Sequence, residues 1–184
     1  MTKERADAAR NRGKVLAAAA ELFAAQNPSS VTMESIARAA GVGRGTLYRR
    51  YPDVASIAVA LLDEHEKALQ HDLLQGPPPL GPGAPPRERL AAFYTAMVEL
   101  LDKHAHLALH AETGARRYAT GAYGFWRAHV LALLREADVS DPDALADILL
   151  APLASDVFSH QRERGVSTAR LTAALTGLTR VLDR

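Results

Sequence analysis

Arg44, Thr46, Tyr48, Arg49 and Arg50 fall within seven residues, and three glycines, Gly41, Gly43 and Gly45, fall within five. A guanidinium at the start of a helix can grip guanine O6 and N7 together, worth about 1–3 kcal/mol of discrimination. Arg44 stands where such a reader is needed. Thr46 suits a thymine methyl or a phosphate. Tyr48, Arg49 and Arg50 suit phosphate oxygens, contacts that position a helix without reading sequence. Catalytic patterns are missing: there is no nucleophile elbow, no phosphate-cradling glycine loop, no HExxH and no defensible pair of carboxylates. The expectation is a protein that is not an enzyme. Cysteine is absent, which excludes disulfides, thiolate metal sites and thiol redox switches. His106 and His110 are four apart, share a helix face and could both face a metal, with His104 and Glu112 near in sequence. One such pair without a matching motif is a weak signal. Exposed or hydrogen-bonded histidines are expected and no metal is assigned, with a metal-responsive sensor as the alternative.

The elements that must present the arginines are short helices. Residues 14–26 place Val15, Leu16, Ala19, Leu22, Phe23 and Gln26 on one stripe. The stretch 27–30 breaks that helix. Thr32 is a good N-cap and Glu34 sits in the first turn, where a helix dipole favours an acid. Met33, Ile36, Ala37 and Ala40 then share a face. Gly41 ends this helix in the left-handed conformation, where a side chain would be strained. A second short helix runs from Gly43 or Arg44 to about Tyr51, with Val42 and Leu47 buried between the two. Two short helices joined by a tight glycine turn form a helix-turn-helix. Gly43 and Gly45 keep the second helix slim, so that its N-terminus can approach base edges in the major groove. Pro52 and Asp53 then start a longer helix, with Ala55, Val59, Leu62 and Leu69 as core contacts.

Charge agrees with this placement. Residues 1–50 carry nine Lys or Arg against four acids, while the whole chain of 184 residues carries a net charge of only +1. A basic head on an acidic body suits a polyanion. The polar N-terminus has no apolar stretch of signal-peptide type, and no apolar run is long enough to span a bilayer. A cytoplasmic protein with no membrane partner is expected.

Residues 76–86 hold six of the ten prolines. They read as a solvated connector of extended character. The expected domains are a head at 1–52 with a connecting helix at 54–74, a proline-rich linker at 75–86, and a helical body at 87–184. The body reads as helices at 87–104, 105–113, 115–137, 142–164 and 167–183. Gly121 and Gly124 are weak points, and Pro152 should kink its helix. No β-branched alternation occurs, so the fold class is all-α.

The segment "VTMESIARAAGVGRGTLYRRYPD", preceded by "GKVLAAAAELFAAQ", resembles the N-terminal signature of the TetR family of transcriptional regulators. The resemblance covers about residues 12–62 and includes Thr32, Ile36, Ala37, Ala40-Gly41-Val42 and Leu47-Tyr48. It implies a three-helix DNA-binding head and a helical body for effector binding and dimerisation. Carried over by position, Thr32, Arg44, Gly45, Thr46, Tyr48, Arg49 and Arg50 are the DNA-contact set. Three departures stand out. Gly43 replaces the usual Ser or Thr cap. Ser35 replaces a frequent glutamate, leaving the capping box incomplete. Val54 replaces a phosphate-binding lysine, a loss of about one unit of salt slope that Arg50, Arg10 or Arg12 could offset.

The resemblance also implies a homodimer on a palindromic operator, most simply a repressor released by a small molecule. Leu145, Leu149, Leu153 and Val157 form one apolar stripe, and Leu171, Leu175, Leu178 and Leu182 form another, joined by Val181. Two such helices from each copy would make a four-helix dimer interface. The implied effector is small and apolar or amphipathic. Candidate lining residues are Phe93, Tyr94, Met97, Leu101, Tyr118, Tyr123, Phe125, Trp126 and His129, each of which, taken singly, reads more readily as core. No cofactor is implied. An activator of the same fold, or a helical protein whose head meets another protein, is the alternative. Steep salt dependence would separate DNA binding from an apolar protein contact.

Overall fold

The computed structural model describes residues 3–26, 30–111 and 121–183, and the side chains of 7–26, 30–104 and 121–183. Among the described residues there are helices and no strand, so the fold is all-α. They group into two compact units that divide between residues 64 and 65.

The first unit contains α1 (Lys3–Ala25), α2 (Met33–Ala40), α3 (Arg44–Arg50) and the start of α4 (Val54–Gln75). Helix α1 begins well before residue 14, because the preceding stretch is rich in Ala and Arg, both good helix formers. Val15, Leu16 and Ala19 of α1 pack with Met33, Ile36, Ala37 and Ala40 of α2, and with Leu47. Leu22 and Phe23 are partly buried against this core. On α4 the expected face is half right: Leu62 and Leu69 are buried, but the first turns are not as expected. Ala55 is exposed and Val59 is 52% exposed, while Ile57, Ala58 and Leu61 are buried. The stretch from Val54 to Leu62 is apolar almost all round, so periodicity alone cannot choose its inward face.

The second unit contains the rest of α4, then α5 (Pro86–Ala111), α6 (Gly121–Glu136), α7 (Pro142–Leu150), α8 (Ser155–Glu163) and α9 (Thr168–Leu178). The proline-rich segment before α5 is not extended. Gly76 N–H donates to Asp72 O at 2.8 Å and Gly81 N–H to Pro77 O at 2.9 Å, closing a compact loop. Gly81 is buried there, and a Cβ on it would collide with the Gly76 carbonyl, so only glycine permits the close approach. Helix α5 runs without the expected break near residue 104, since neither Gly nor Pro lies between Pro86 and Ala111. On this helix His104 meets His65 of α4, Nδ1 of His65 lying 2.6 Å from Nε2 of His104.

Pro152 does more than kink its helix. Helix α7 ends at Leu150, a single 3-10 turn spans Ala151–Leu153, and α8 starts at Ser155. The Tyr94 hydroxyl of α5 donates to the Leu149 carbonyl at this break, at 3.1 Å. Tyr94 is fully buried, and burial pushes its hydroxyl pKa well above the usual phenol range. Asp141 caps α7 by accepting from Ala144 N–H, as Pro142 at the first helical position leads one to expect. Helices α6 and α7 are tied at the surface by Arg127, which reaches both Asp143 and Asp147, and by the Tyr123 hydroxyl, which donates to Asp147 at 2.6 Å. The bond from Tyr123, then Arg127, holds the Asp147 carboxyl below its usual range.

Candidate nucleic-acid interface

Helix α2 is only eight residues long, too short to persist by propensity alone. Its ends are therefore secured by specific groups. Thr32 accepts from Ser35 N–H at 3.1 Å, and Ser35 Oγ accepts from Thr32 N–H at 3.1 Å. The capping box is thus complete, contrary to the expectation from the missing glutamate, because a serine hydroxyl reaches the same backbone N–H. At the other end Gly41 has φ 63° and ψ 35°, the left-handed conformation that glycine enters without strain. Gly41 N–H and Val42 N–H then close on the carbonyls of Arg38 and Ala37.

This turn delivers α3 with one side inward. Leu47 is 1% exposed and is the only buried residue of the helix. Val42 is partly buried beside it, less deeply than expected. Arg44, Gly45, Thr46, Tyr48, Arg49 and Arg50 are all exposed, as is Thr32, and Tyr48 shows half its surface. Arg44 is not loose, however. It forms an ion pair with Glu34, a residue placed in the sequence only as a helix-start acid. Both partners are more than half exposed, so the pair orients Arg44 and adds little stability. Gly43 is the N-cap of α3 and has no side chain to bond the first turn, as its identity suggests.

A groove of about 440 Å³ runs between α1 and α3, lined by Asp7, Asn11, Arg12, Thr46, Arg49 and Arg50 among others. Its floor includes Tyr51, 6% exposed, whose hydroxyl is buried without a partner. The sequence pattern did not mark Tyr51 as core. Arg12, named as a spare phosphate contact, is bonded to Glu64 of α4, and that bond raises its pKa further. Arg10 remains exposed and pairs with Asp7 at 3.4 Å. Val54 is half-buried at the start of α4, where Asp53 and Ser56 cap the helix.

The second unit redistributes the other candidates. Tyr94, Met97, Leu101 and Trp126 are buried, while Phe125 and His129 are half-buried. Tyr123 directs its hydroxyl to the α6–α7 surface network. Tyr118 and Glu112 lie outside the described residues, as do the side chains of His106 and His110. Among the described residues no three His, Asp or Glu gather to hold a metal. Of the proposed interface residues, Leu149, Leu153, Leu171 and Leu175 are buried within the chain itself. They are therefore core, because α7 packs on α6, and α8 and α9 pack on α5, and these faces are used internally. Leu145 and Leu182 are half-buried. Val157 and Leu178 do face outward, and with Ile148 and Val181 they make up the exposed large hydrophobics of α7, α8 and the C-terminal end.

The family model described as bacterial regulatory proteins, tetR family, matches residues 15–61. An uncharacterized HTH-type transcriptional regulator of Mycobacterium bovis is 40% identical over 73 residues, covering 40% of this chain and 37% of that protein. The match thus spans about a third of the length of this relative and of a similar regulator of Mycobacterium tuberculosis, 37% and 33%. Two solved structures share the fold over most of their length. The fatty acid degradation regulator FadR from Bacillus halodurans gives a TM-score of 0.65 at 16% identity, with 94% of this chain and 95% of that one covered. A SmeT–triclosan complex gives 0.62 at 17% identity, with 92% and 90% covered. Among the described residues no helix is long and apolar enough to cross a membrane.

Proposed function

We propose that the protein is a TetR-family transcriptional regulator and not an enzyme, a reading supported by the match of residues 15–61 to that family's model. In this reading it binds a palindromic operator as a homodimer in the cytoplasm and represses until a small molecule releases it. The observation that carries it is the split of α3 into one buried residue, Leu47, and an exposed row of Arg44, Thr46, Tyr48, Arg49 and Arg50. Arg44 at the N-terminus reads a base, and Tyr48, Arg49 and Arg50 hold phosphates. Glu34 keeps Arg44 extended until DNA replaces it.

One head binds a half-site weakly, so a dimer is needed for tight binding. Ile148, Val157, Leu178 and Val181 are the apolar residues left for that contact, beside the exposed Ala173, Ala174 and Gly177 of α9. The effector reading draws on the aromatic interior of the body and on the likeness to a structure solved with triclosan and to a fatty acid degradation regulator. Connecting helix α4 would relay the ligand's effect to the head.

The test is a titration against DNA flanking the protein's own gene, with an unrelated fragment as control, at two salt concentrations. Tight binding to one fragment, steeply weakened by salt, is expected. Arg44→Ala should relax preference at one base per half-site, and Tyr48→Ala should weaken all sequences alike. Equal, weak binding to every fragment by the wild type would sink the reading.

A further inference from the structure

Two polar atoms in the seam between α5 and α6 are buried without a partner, Arg89 Nε and His129 Nε2. Folded chains rarely leave such atoms unsatisfied, and two of them in one seam call for an explanation. Arg89 and Phe93 are one turn apart on α5, and the rings of Phe93 and His129 lie 5.4 Å apart. Trp126, one turn from His129 on α6, has its ring 6.0 Å from Phe93. The Arg89 side chain is 15% exposed, and its counterion is Glu136, at 3.7 Å and 54% exposed. A largely buried cation is therefore matched by one long contact to a surface carboxylate. His129 adds no second positive charge: burial, and then the charge of Arg89, lowers its pKa to about 4 and keeps it neutral.

We propose that this seam is the closed form of a binding site for a small apolar carboxylic acid. The carboxylate accepts the Arg89 Nε–H and a proton from the His129 ring, and the hydrocarbon tail lies against Phe93 and Trp126. This deepens the effector reading above and rests on it, since it names the chemical class of the ligand. A neutral alcohol would meet the hydrogen-bonding need of one atom but leave the guanidinium charge unmatched. A carboxylate meets both, because its oxygens only accept and its charge is opposite. The tail needs no polar partners, and Phe93 and Trp126 offer none on their faces. Entry requires α5 and α6 to part, and the two unsatisfied atoms lower the cost of that parting.

Trp126 is the only tryptophan of the chain, so its fluorescence reports on this seam alone. The full chain, without DNA, would be titrated with octanoate, with octan-1-ol and octanamide as uncharged controls of the same length. Saturable binding of octanoate is expected, at least roughly tenfold tighter than either control, as befits a charge-assisted bond. Arg89→Met should abolish that preference while leaving the weak octanol signal in place. His129→Leu should weaken octanoate and raise the melting temperature, because it removes an orphaned atom. Equal affinity for octanoate and octanol, no saturable octanoate binding, or unchanged octanoate binding by Arg89→Met would each overturn the proposal. The wild-type comparison stands even if a variant misfolds. Octanoate that binds yet leaves the protein on its DNA would refute the effector role and keep the acid site. Release of DNA by a neutral compound, with no octanoate binding, would do the reverse.

Discussion

In the head, Thr32 and Ser35 close each other's backbone N–H groups, Asp53 and Ser56 do the same at the next helix, and Gly41 seals a helix end. In the body, Arg89 and His129 bury polar atoms with no partner, and Ser155 does likewise beside the Pro152 break. The head has its own exception in the Tyr51 hydroxyl. The contrast follows from what each region must do. The eight-residue α2, which sets the turn into the row of arginines, holds only with both its ends secured, while α3 keeps an uncapped start at Gly43. On the proposed function, a body that opens for a ligand gains from carrying groups that the closed state leaves unsatisfied.

The sharpest way to break this comparison is pH. The folded pKa of His129 is lowered to about 4, below its ordinary value in an unfolded chain. Between those two values the unfolded chain binds the proton and the folded chain does not. The contribution is therefore complete above about pH 6.5 and is lost as pH falls toward 4, by up to ~3 kcal/mol. Denaturant melts of the wild type at a series of pH values should show that loss, and His129→Leu should flatten the curve. An unchanged slope in the variant would remove His129 as a source of instability in the body.

Tyr94→Phe should come next. It deletes the hydroxyl that the Leu149 carbonyl accepts from, leaving a buried acceptor unmatched at the α7–α8 break. A loss of about 1–3 kcal/mol is expected in denaturant melts. DNA affinity measured well below the melting temperature should not move. A variant as stable as the wild type would mean that water reaches Leu149 O and that this break is looser than drawn.

In the head, Gly41→Ala should cost about 1 kcal/mol, since alanine is strained at φ 63° although nothing crowds a Cβ there. Circular dichroism melts would check it. A much larger loss would show that the turn tolerates no relaxation at all.

The difference between the regions also explains what could be read from residues alone. Thr32, Met33, Ile36, Ala37, Ala40, Gly41 and Leu47 were placed correctly because each has a role tied to a fixed spacing, such as cap, stripe or turn. The Ser35 contribution was missed because a short hydroxyl does the work of a longer carboxylate. The Glu34–Arg44 pair was missed because it joins two helices, and no periodicity within one helix reveals it. In the body the leucine stripes of α7 to α9 were visible, but not which partner they bury against. Leu149, Leu153, Leu171 and Leu175 face inward, while Val157 and Leu178 face out. An apolar stripe looks the same whether it meets its own chain or another copy. Arg89 was not marked at all, since a single arginine near a helix start reads as solvated surface.

The smallest effect bears on the head most directly. Gly43 has φ −66° and ψ 141°, ordinary extended backbone that any residue adopts, and a Cβ there would meet only Thr46 Oγ1 at 4.0 Å. Serine therefore fits, and its hydroxyl can accept from the first turn of α3. A gain of a few tenths of a kcal/mol is expected, because glycine is already a fair cap, in the same melts used for Gly41→Ala. DNA binding should respond differently. The N–H groups that serine would occupy are the ones a helix N-terminus offers to an approaching phosphate. If Gly43 serves to leave them open, Gly43→Ser gains stability and loses affinity across all sequences, with a shallower salt slope. If affinity rises along with stability, α3 was limited by its own fraying, and the missing cap is a defect that the rest of the head tolerates.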